Sequence, residues 1–188
     1  NKLLRRHHVL GASLLLASGG RTVQIDASTL RRPRHIAGPD TLYRVASITK
    51  TATAFVALKL CDEGAFRLDD PVAPLLPEGA SFPALRGVTV RQLLCHTSGL
   101  RDIPACDRAL QNGEPFASVL AQPDVRAGNP GESFRYCNFG FGLMGCVMEQ
   151  VCEAPLEEIF RRCLFSPLGM RAALDASALA EANVMEIV

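Results

Sequence analysis

The chain has 188 residues, 48% of them hydrophobic and 21% charged, with a formal net charge of +1. That is long enough to bury a real core in one domain or two subdomains, and ordinary for a soluble globular protein. There is no basic cluster beyond Arg5, Arg6, Arg31, Arg32 and Arg34, and no stretch long enough to span a membrane, so nucleic-acid binding and a membrane span are excluded as main tasks.

Seven cysteines (61, 95, 106, 137, 146, 152 and 163) make an odd count with no Cys-x-x-Cys pair. Neither a zinc cage nor a disulfide framework is expected, and the thiol count favours a cytoplasmic over an exported protein. At the start, Lys2, Arg5 and Arg6 precede VLGASLLLASGG, the order of a secretory leader. The apolar run is short for that. A strand over 9–17, a Ser18-Gly19-Gly20 turn and a second strand over 21–27 fit better, as a hairpin that opens a sheet. Residues 28–40 are polar, basic and punctuated by proline and glycine, and read as a loop.

LYRVASITKTATAFVALKL (42–60) has no helix breaker after Val45 and little polar surface. It predicts a central helix over 46–62, buried on most sides and ending near Gly64. Ser47 lies in its first turn with Lys50 three residues on, which puts hydroxyl and amine on one face with Cβ atoms about 5–6 Å apart. A serine becomes nucleophilic only with a base in reach, a desolvated lysine can be that base, and a helix N-terminus supplies N–H groups for an oxyanion. With ten serines and three lysines, chance alone yields a Ser-x-x-Lys match roughly one time in six, so the spacing needs support from elsewhere.

Asp70-Pro71, Pro74, Pro77 and Pro83 then exclude a long regular element. A short helix over 88–94, capped by Thr89, runs into Cys95-His96-Thr97-Ser98-Gly99-Leu100. Neighbouring residues point in different directions, so Cys95 and His96 are not a natural thiol–base pair. His96 reads as structural, closing a tight loop with the adjacent hydroxyls at Gly99. A further short helix is expected around 116–121, and Gly128-Asn129-Pro130-Gly131 marks a turn. A helix from Asn138 to about Cys152 and an amphipathic helix over 155–165 complete the series. By themselves Tyr136 and Asn138 read as a packed loop tyrosine and a helix cap.

Five stretches coincide in order between residues 41 and 170: Ser47-Ile-Thr-Lys50, Leu68-Asp-Asp-Pro71, Leu93-Leu-Cys-His-Thr-Ser-Gly-Leu100, Pro130-Gly131 leading to Tyr136-Cys-Asn138, and Pro167-Leu-Gly-Met170. In these the chain resembles the serine β-lactamase and penicillin-binding-protein superfamily, in its class C β-lactamase, D-Ala-D-Ala carboxypeptidase and family VIII esterase branch. The resemblance implies that Ser47 is the acylated nucleophile and that Lys50 accepts or relays its proton. Tyr136 would be the phenol that acts as general base and then as acid, and Asn138 would hydrogen-bond Lys50 and the substrate amide. The Ser47 N–H would be half of an oxyanion hole. A phenol works near neutral pH only if a close cation lowers its pKa.

The family's third motif, Lys-Thr-Gly or His-x-Gly, has no counterpart, since no lysine follows Lys59 and no histidine follows His96. A longer protein, or a complementary C-terminal segment on a second polypeptide, is therefore expected to complete the sheet and the activity; without those strands one side of the apolar Ser47 helix is expected to be exposed. The fold expected is α/β, a partial β-lactamase/transpeptidase-like fold. Residues 1–65 would carry the hairpin and nucleophile helix, 66–170 a mainly helical subdomain, and 171–188 a return segment, with the cleft between the first two. The expected function is serine acyl hydrolysis of an amide or ester (a β-lactam, a D-amino-acid peptide or a small ester), with no metal or organic cofactor. The competing readings are a non-catalytic ligand-binding or scaffold relative, and a cysteine hydrolase using Cys95 or Cys137.

Overall fold

The computed structural model describes residues 2–29, 36–106, 108, 115–175 and 184–185. Parts of the loop expected over 28–40 and of the return segment 171–188 lie outside these. The chain forms two compact units, Asn1–Ala46 with Arg171–Val188, and Ser47–Met170.

In the first unit, helix α1 (Lys2–Arg6) precedes strands β1 (Gly11–Ser18) and β2 (Arg21–Ser28). The sequence reading gave residues 2–6 no helix and started the first strand two residues early. The difference is local, because the Val9 N–H is taken by Leu4 O at the end of α1. β1 and β2 pair antiparallel from Gly11↔Ser28 to Ser18↔Arg21. Their two-residue turn sets Gly19 and Gly20 at φ 54° and 76°. Two positive dihedrals match the twist of the flanking strands, and glycine adopts them without a Cβ penalty. Leu14, Leu15, Leu16, Val23 and Ile25 all stay exposed. A second two-stranded sheet pairs β3 (Leu42–Tyr43) with β4 (Val184–Met185) in parallel.

The second unit is mainly helical. A 3-10 turn at Ala46–Ile48 leads into α2 (Thr49–Asp62). The helix stops where Gly64 takes φ 81°. Ala65 N–H then returns to Leu60 O and Gly64 N–H to Cys61 O, which satisfies two of the last carbonyls. Thr53, Val56, Ala57 and Leu60 form its buried face at helical spacing. Burial on most sides is corrected to burial on one face, and the side expected to be exposed without further strands is exposed. Ile48, Phe55 and Leu58 are 68%, 49% and 46% exposed, because among the described residues only one face meets a packing partner within this unit.

α3 (Val90–Leu94) is held by a reciprocal cap: the Thr89 hydroxyl accepts from Gln92 N–H while the Gln92 side chain accepts from Thr89 N–H. α4 (Phe116–Leu120) is short, and α5 (Asn138–Cys152) is the longest helix among the described residues. α6 (Leu156–Phe160) widens into a π turn at Arg161–Phe165. α5 is the centre of this unit, and α2, α3 and α6 all pack against it. Leu143, Met144, Val147 and Met148 are fully buried on its faces, each worth about 1.5–3 kcal/mol in apolar burial. A side chain at Gly142 would run into the Phe116 ring, so glycine there is what admits α4.

Candidate active site

Ser47, Lys50, His96, Gly99, Tyr136 and Asn138 all belong to the unit Ser47–Met170. The first two come from the start of α2, where Ala46 sits at φ 46°, a strained left-handed backbone for a residue with a Cβ. The i, i+3 spacing brings Lys50 Nζ to 3.3 Å from Ser47 Oγ. Tyr136 arrives from the segment ahead of α5, with its hydroxyl 2.7 Å from Ser47 Oγ. Asn138, the first residue of α5, accepts from Lys50 Nζ through Oδ1 at 2.7 Å. The ammonium also lies 4.9 Å from the Tyr136 ring centre and 5.7 Å from that of Phe141. An alcohol, an amine, a phenol and an amide thus converge across separations of up to 89 residues.

Hydrogen bonds from Lys50, and then from Ser47, lower the Tyr136 phenol from its ordinary value near 10. Both stabilise the phenolate, so less free energy separates the phenol from its basic form. Tyr136 as a whole is 46% exposed.

His96 and Gly99 lie in the loop behind the phenol. His96 occupies the left-handed region at φ 58° as the residue that ends α3. Its N–H bonds to Leu93 O, and Thr97 N–H to Gln92 O. The imidazole Nδ1 accepts from Cys137 N–H at 3.1 Å, and His96 O accepts from Arg135 N–H at 2.8 Å. The ring lies 4.5 Å from the Tyr136 ring and 4.9 Å from Phe141. Burial first, and then the Lys50 charge, push its pKa below the ordinary 6.5, which keeps Nδ1 an acceptor. Gly99, at φ 74°, receives Ala127 N–H, and a Cβ there would run into Gly128 O.

The expectation that Asn138 caps α5 is corrected. Cys137 is the cap, its sulfur accepting from Gly140 N–H at 3.3 Å, and the Asn138 side chain turns away toward Lys50. Burial pushes the Cys137 thiol up to about 12, so it is not a nucleophile in this state. Cys95 is exposed and has no part in the cluster.

Sequence reasoning missed Asp102. Its Oδ2 accepts from Asn138 N–H at 3.0 Å and from Asn138 Nδ2 at 2.8 Å, and its Oδ1 accepts from Phe139 N–H at 2.8 Å. The Cys137 thiol also approaches Oδ1, at 3.5 Å. Burial would raise this carboxyl, but the N–H donors of Phe139 and Asn138 outweigh it and hold the pKa below the ordinary range. The only sequence signal was an acidic residue two positions past the loop that ends at Leu100.

Among the described residues no cluster of His, Cys, Asp and Glu has metal-binding geometry, and no helix is long and apolar enough to cross a membrane. Comparison with known proteins gives a match to the Beta-lactamase family over residues 1–177. The chain is 31% identical over 176 residues to penicillin-binding protein 4 of Amycolatopsis lactamdurans, covering 92% of this chain and 46% of that protein. It is 31% identical over 140 residues to the D-alanyl-D-alanine-carboxypeptidase/endopeptidase AmpH of Escherichia coli (strain K12), covering 70% and 36%. The octameric penicillin-binding protein homologue from Pyrococcus abyssi superposes with a TM-score of 0.79 at 26% identity, covering 97% of this chain and 45% of that one. The chain thus spans less than half the length of these relatives, and it shares their mixed helix-and-sheet fold.

Proposed function

Because this chain belongs to the Beta-lactamase family, whose superfamily members are serine hydrolases, we propose that it carries the nucleophile half of a serine acyl hydrolase, with Ser47 forming the acyl-enzyme. The observation that carries the reading is the 2.7 Å contact between Ser47 Oγ and the Tyr136 hydroxyl, a phenol held below its ordinary pKa by Lys50 and Ser47.

In the first step the Tyr136 phenolate takes the Ser47 proton as Oγ bonds to the substrate carbonyl carbon. Lys50 Nζ, 3.3 Å from Oγ, stabilises the negative charge shared by the two oxygens. The carbonyl oxygen becomes an oxyanion, with the Ser47 N–H as one of its donors. Tyr136 then gives its proton to the leaving nitrogen or oxygen as the carbon–heteroatom bond breaks. Water repeats the sequence on the acyl-enzyme and frees Ser47.

The substrate class is an amide or ester at a carbonyl, with a D-amino-acid peptide favoured by the named activity of the AmpH relative. A β-lactam or a small ester would enter by the same acylation. A complementary C-terminal segment would supply the second oxyanion donor and a cation for the substrate carboxylate. The test is intact mass of the protein, as expressed from its gene, after incubation with a penicillin or a fluorophosphonate. One adduct, absent in Ser47→Ala, is expected. No adduct on the unaltered protein would favour a non-catalytic ligand-binding role, and an adduct surviving Ser47→Ala would move the chemistry to another residue.

A further inference from the structure

We infer that Asp102 is the positioning residue of this site: it fixes which way the Asn138 amide faces, and through that amide it holds the Lys50 ammonium beside Ser47. The inference deepens the acyl-enzyme reading and rests on it for its kinetic consequence.

An ionised carboxylate only accepts hydrogen bonds. Asp102 Oδ2 stands 2.8 Å from one end of the Asn138 amide, and that end must therefore be the NH2 group. The flipped amide would set two acceptor oxygens against each other. Oδ1 is left facing the opposite way, where it receives Lys50 Nζ at 2.7 Å. The same carboxylate takes the backbone N–H groups of Asn138 and Phe139, so it fixes the residue's main chain as well as its side chain. These donors outweigh burial and keep Asp102 ionised at neutral pH, which is what the orientation requires. Asp102 itself touches neither Ser47 nor Tyr136 in the described contacts, and it reaches Lys50 through the Asn138 amide. The Lys50 ammonium has two sets of anchors in this arrangement: Asn138 Oδ1, and the Ser47 and Tyr136 oxygens. Releasing the first frees the amine to swing away from the second.

Asp102→Asn is the discriminating variant, because it keeps the size of the side chain and replaces an acceptor with a donor beside Asn138. In the protein as expressed from its gene, stopped-flow acylation by p-nitrophenyl acetate gives two quantities. Burst amplitude counts competent molecules, and burst rate constant reports the chemical step. The variant is expected to keep its amplitude and lose about 10- to 100-fold in rate constant, the loss typical of a displaced reacting group. A lowered amplitude with the parental rate constant would mean a purely structural role and overturn the assignment. So would an unchanged rate.

A second measurement is independent of activity. The Asn138 side-chain amide pair in a 1H–15N spectrum, identified by its loss in Asn138→Asp, should show one proton shifted downfield by the carboxylate and released in Asp102→Asn. If that variant does not fold, the unaltered protein decides: the shifted proton should persist from neutrality down to the ordinary carboxylate range near about pH 4. Its absence there overturns the assignment. If the unaltered protein forms no Ser47 adduct, the acyl-enzyme reading fails, and the amide resonance alone rules on Asp102.

Discussion

Replacing His96 by alanine and by glycine separates what its backbone costs from what its ring supplies. The ring's Nδ1 is the acceptor for Cys137 N–H, and its face lies 4.5 Å from Tyr136 and 4.9 Å from Phe141. Alanine leaves the half-buried Cys137 N–H without its acceptor, at about 1 kcal/mol, the low end for an unmet donor. Loss of the two closest ring contacts adds about 1–2 kcal/mol. Alanine keeps the left-handed backbone at φ 58°, so His96→Ala should destabilise by about 2–3 kcal/mol in urea unfolding. Glycine suffers the same side-chain losses but regains the left-handed penalty of about 1–2 kcal/mol. Its greater unfolded-state freedom takes back about 0.5–1 kcal/mol. His96→Gly should therefore be at least as stable as His96→Ala, by up to about 1.5 kcal/mol.

Acylation should rank differently. Both variants lose the shelf beneath Tyr136, so both should be slow, and any extra stability of the glycine variant should recover none of the rate. If His96→Ala unfolds at the parental urea concentration, or His96→Gly acylates at the parental rate, the ring does not brace the phenol. The pH dependence carries a defined sign. The folded pKa of His96 lies below 6.5, depressed by burial and by Lys50. Its contribution to stability is therefore complete above the unfolded value of 6.5 and is lost as pH falls through the lower folded value. An acid-side decline beginning below about 6.5 should be smaller in His96→Asn, whose amide does not titrate in that range.

Tyr136→Phe keeps the ring against His96 and removes the oxygen 2.7 Å from Ser47, so acylation should fall about 10²–10⁴-fold at unchanged thermal stability. In the parent, acylation should rise with pH through the lowered phenol pKa, and Lys50→Ala should move that midpoint upward; an unmoved midpoint would mean that another group titrates. Gly99→Ala forces a Cβ against Gly128 O at φ 74°, and thermal unfolding should register a loss of about 1–2 kcal/mol or more. With its thiol pushed up to about 12, Cys137 should resist iodoacetamide at neutral pH until the protein unfolds, and labelling of the native thiol would show the burial to be wrong.

What was legible in the sequence was local. The Gly19-Gly20 turn, the Thr89 cap and the stop at Gly64 are each settled by a few adjacent residues, and the chain uses them as written. Ser47 and Lys50 were legible for the same reason, since one helical turn separates them. Tyr136 and Asn138 were named only because five stretches resembled a family in order. No periodicity brings a phenol 89 residues onward to a serine. On α2, apolar content shows only that a face wants cover; the open side was expected from the absent third motif and not from the helix's own residues. Ile48, Phe55 and Leu58 remain exposed. Cys137 outcompeted Asn138 as the cap of α5 because a nearby lysine and a carboxylate claimed both ends of the asparagine amide.

Asp102 lay outside the five stretches and His96 lay within one of them as the residue that closes a loop, yet both meet one need, which is also the reason the site holds its shape. The main chain from 135 to 139 changes from extended segment to helix within the reach of the Tyr136 phenol. Such a junction leaves N–H groups with no partner in either element. Here Arg135 N–H goes to His96 O and Cys137 N–H to His96 Nδ1, while Asn138 N–H and Phe139 N–H go to Asp102. Two residues, six apart on the loop that turns at Gly99, thus take four N–H groups of the stretch that delivers Tyr136 and Asn138. Ser47 and Lys50 come from a different element, so the angle between phenol and alcohol is set by how that loop grips the junction. A substitution in the loop can therefore slow the chemistry while every reacting atom is still present. That outcome separates a brace from a catalyst, and it makes residues 96–102 as much a part of the site as the serine.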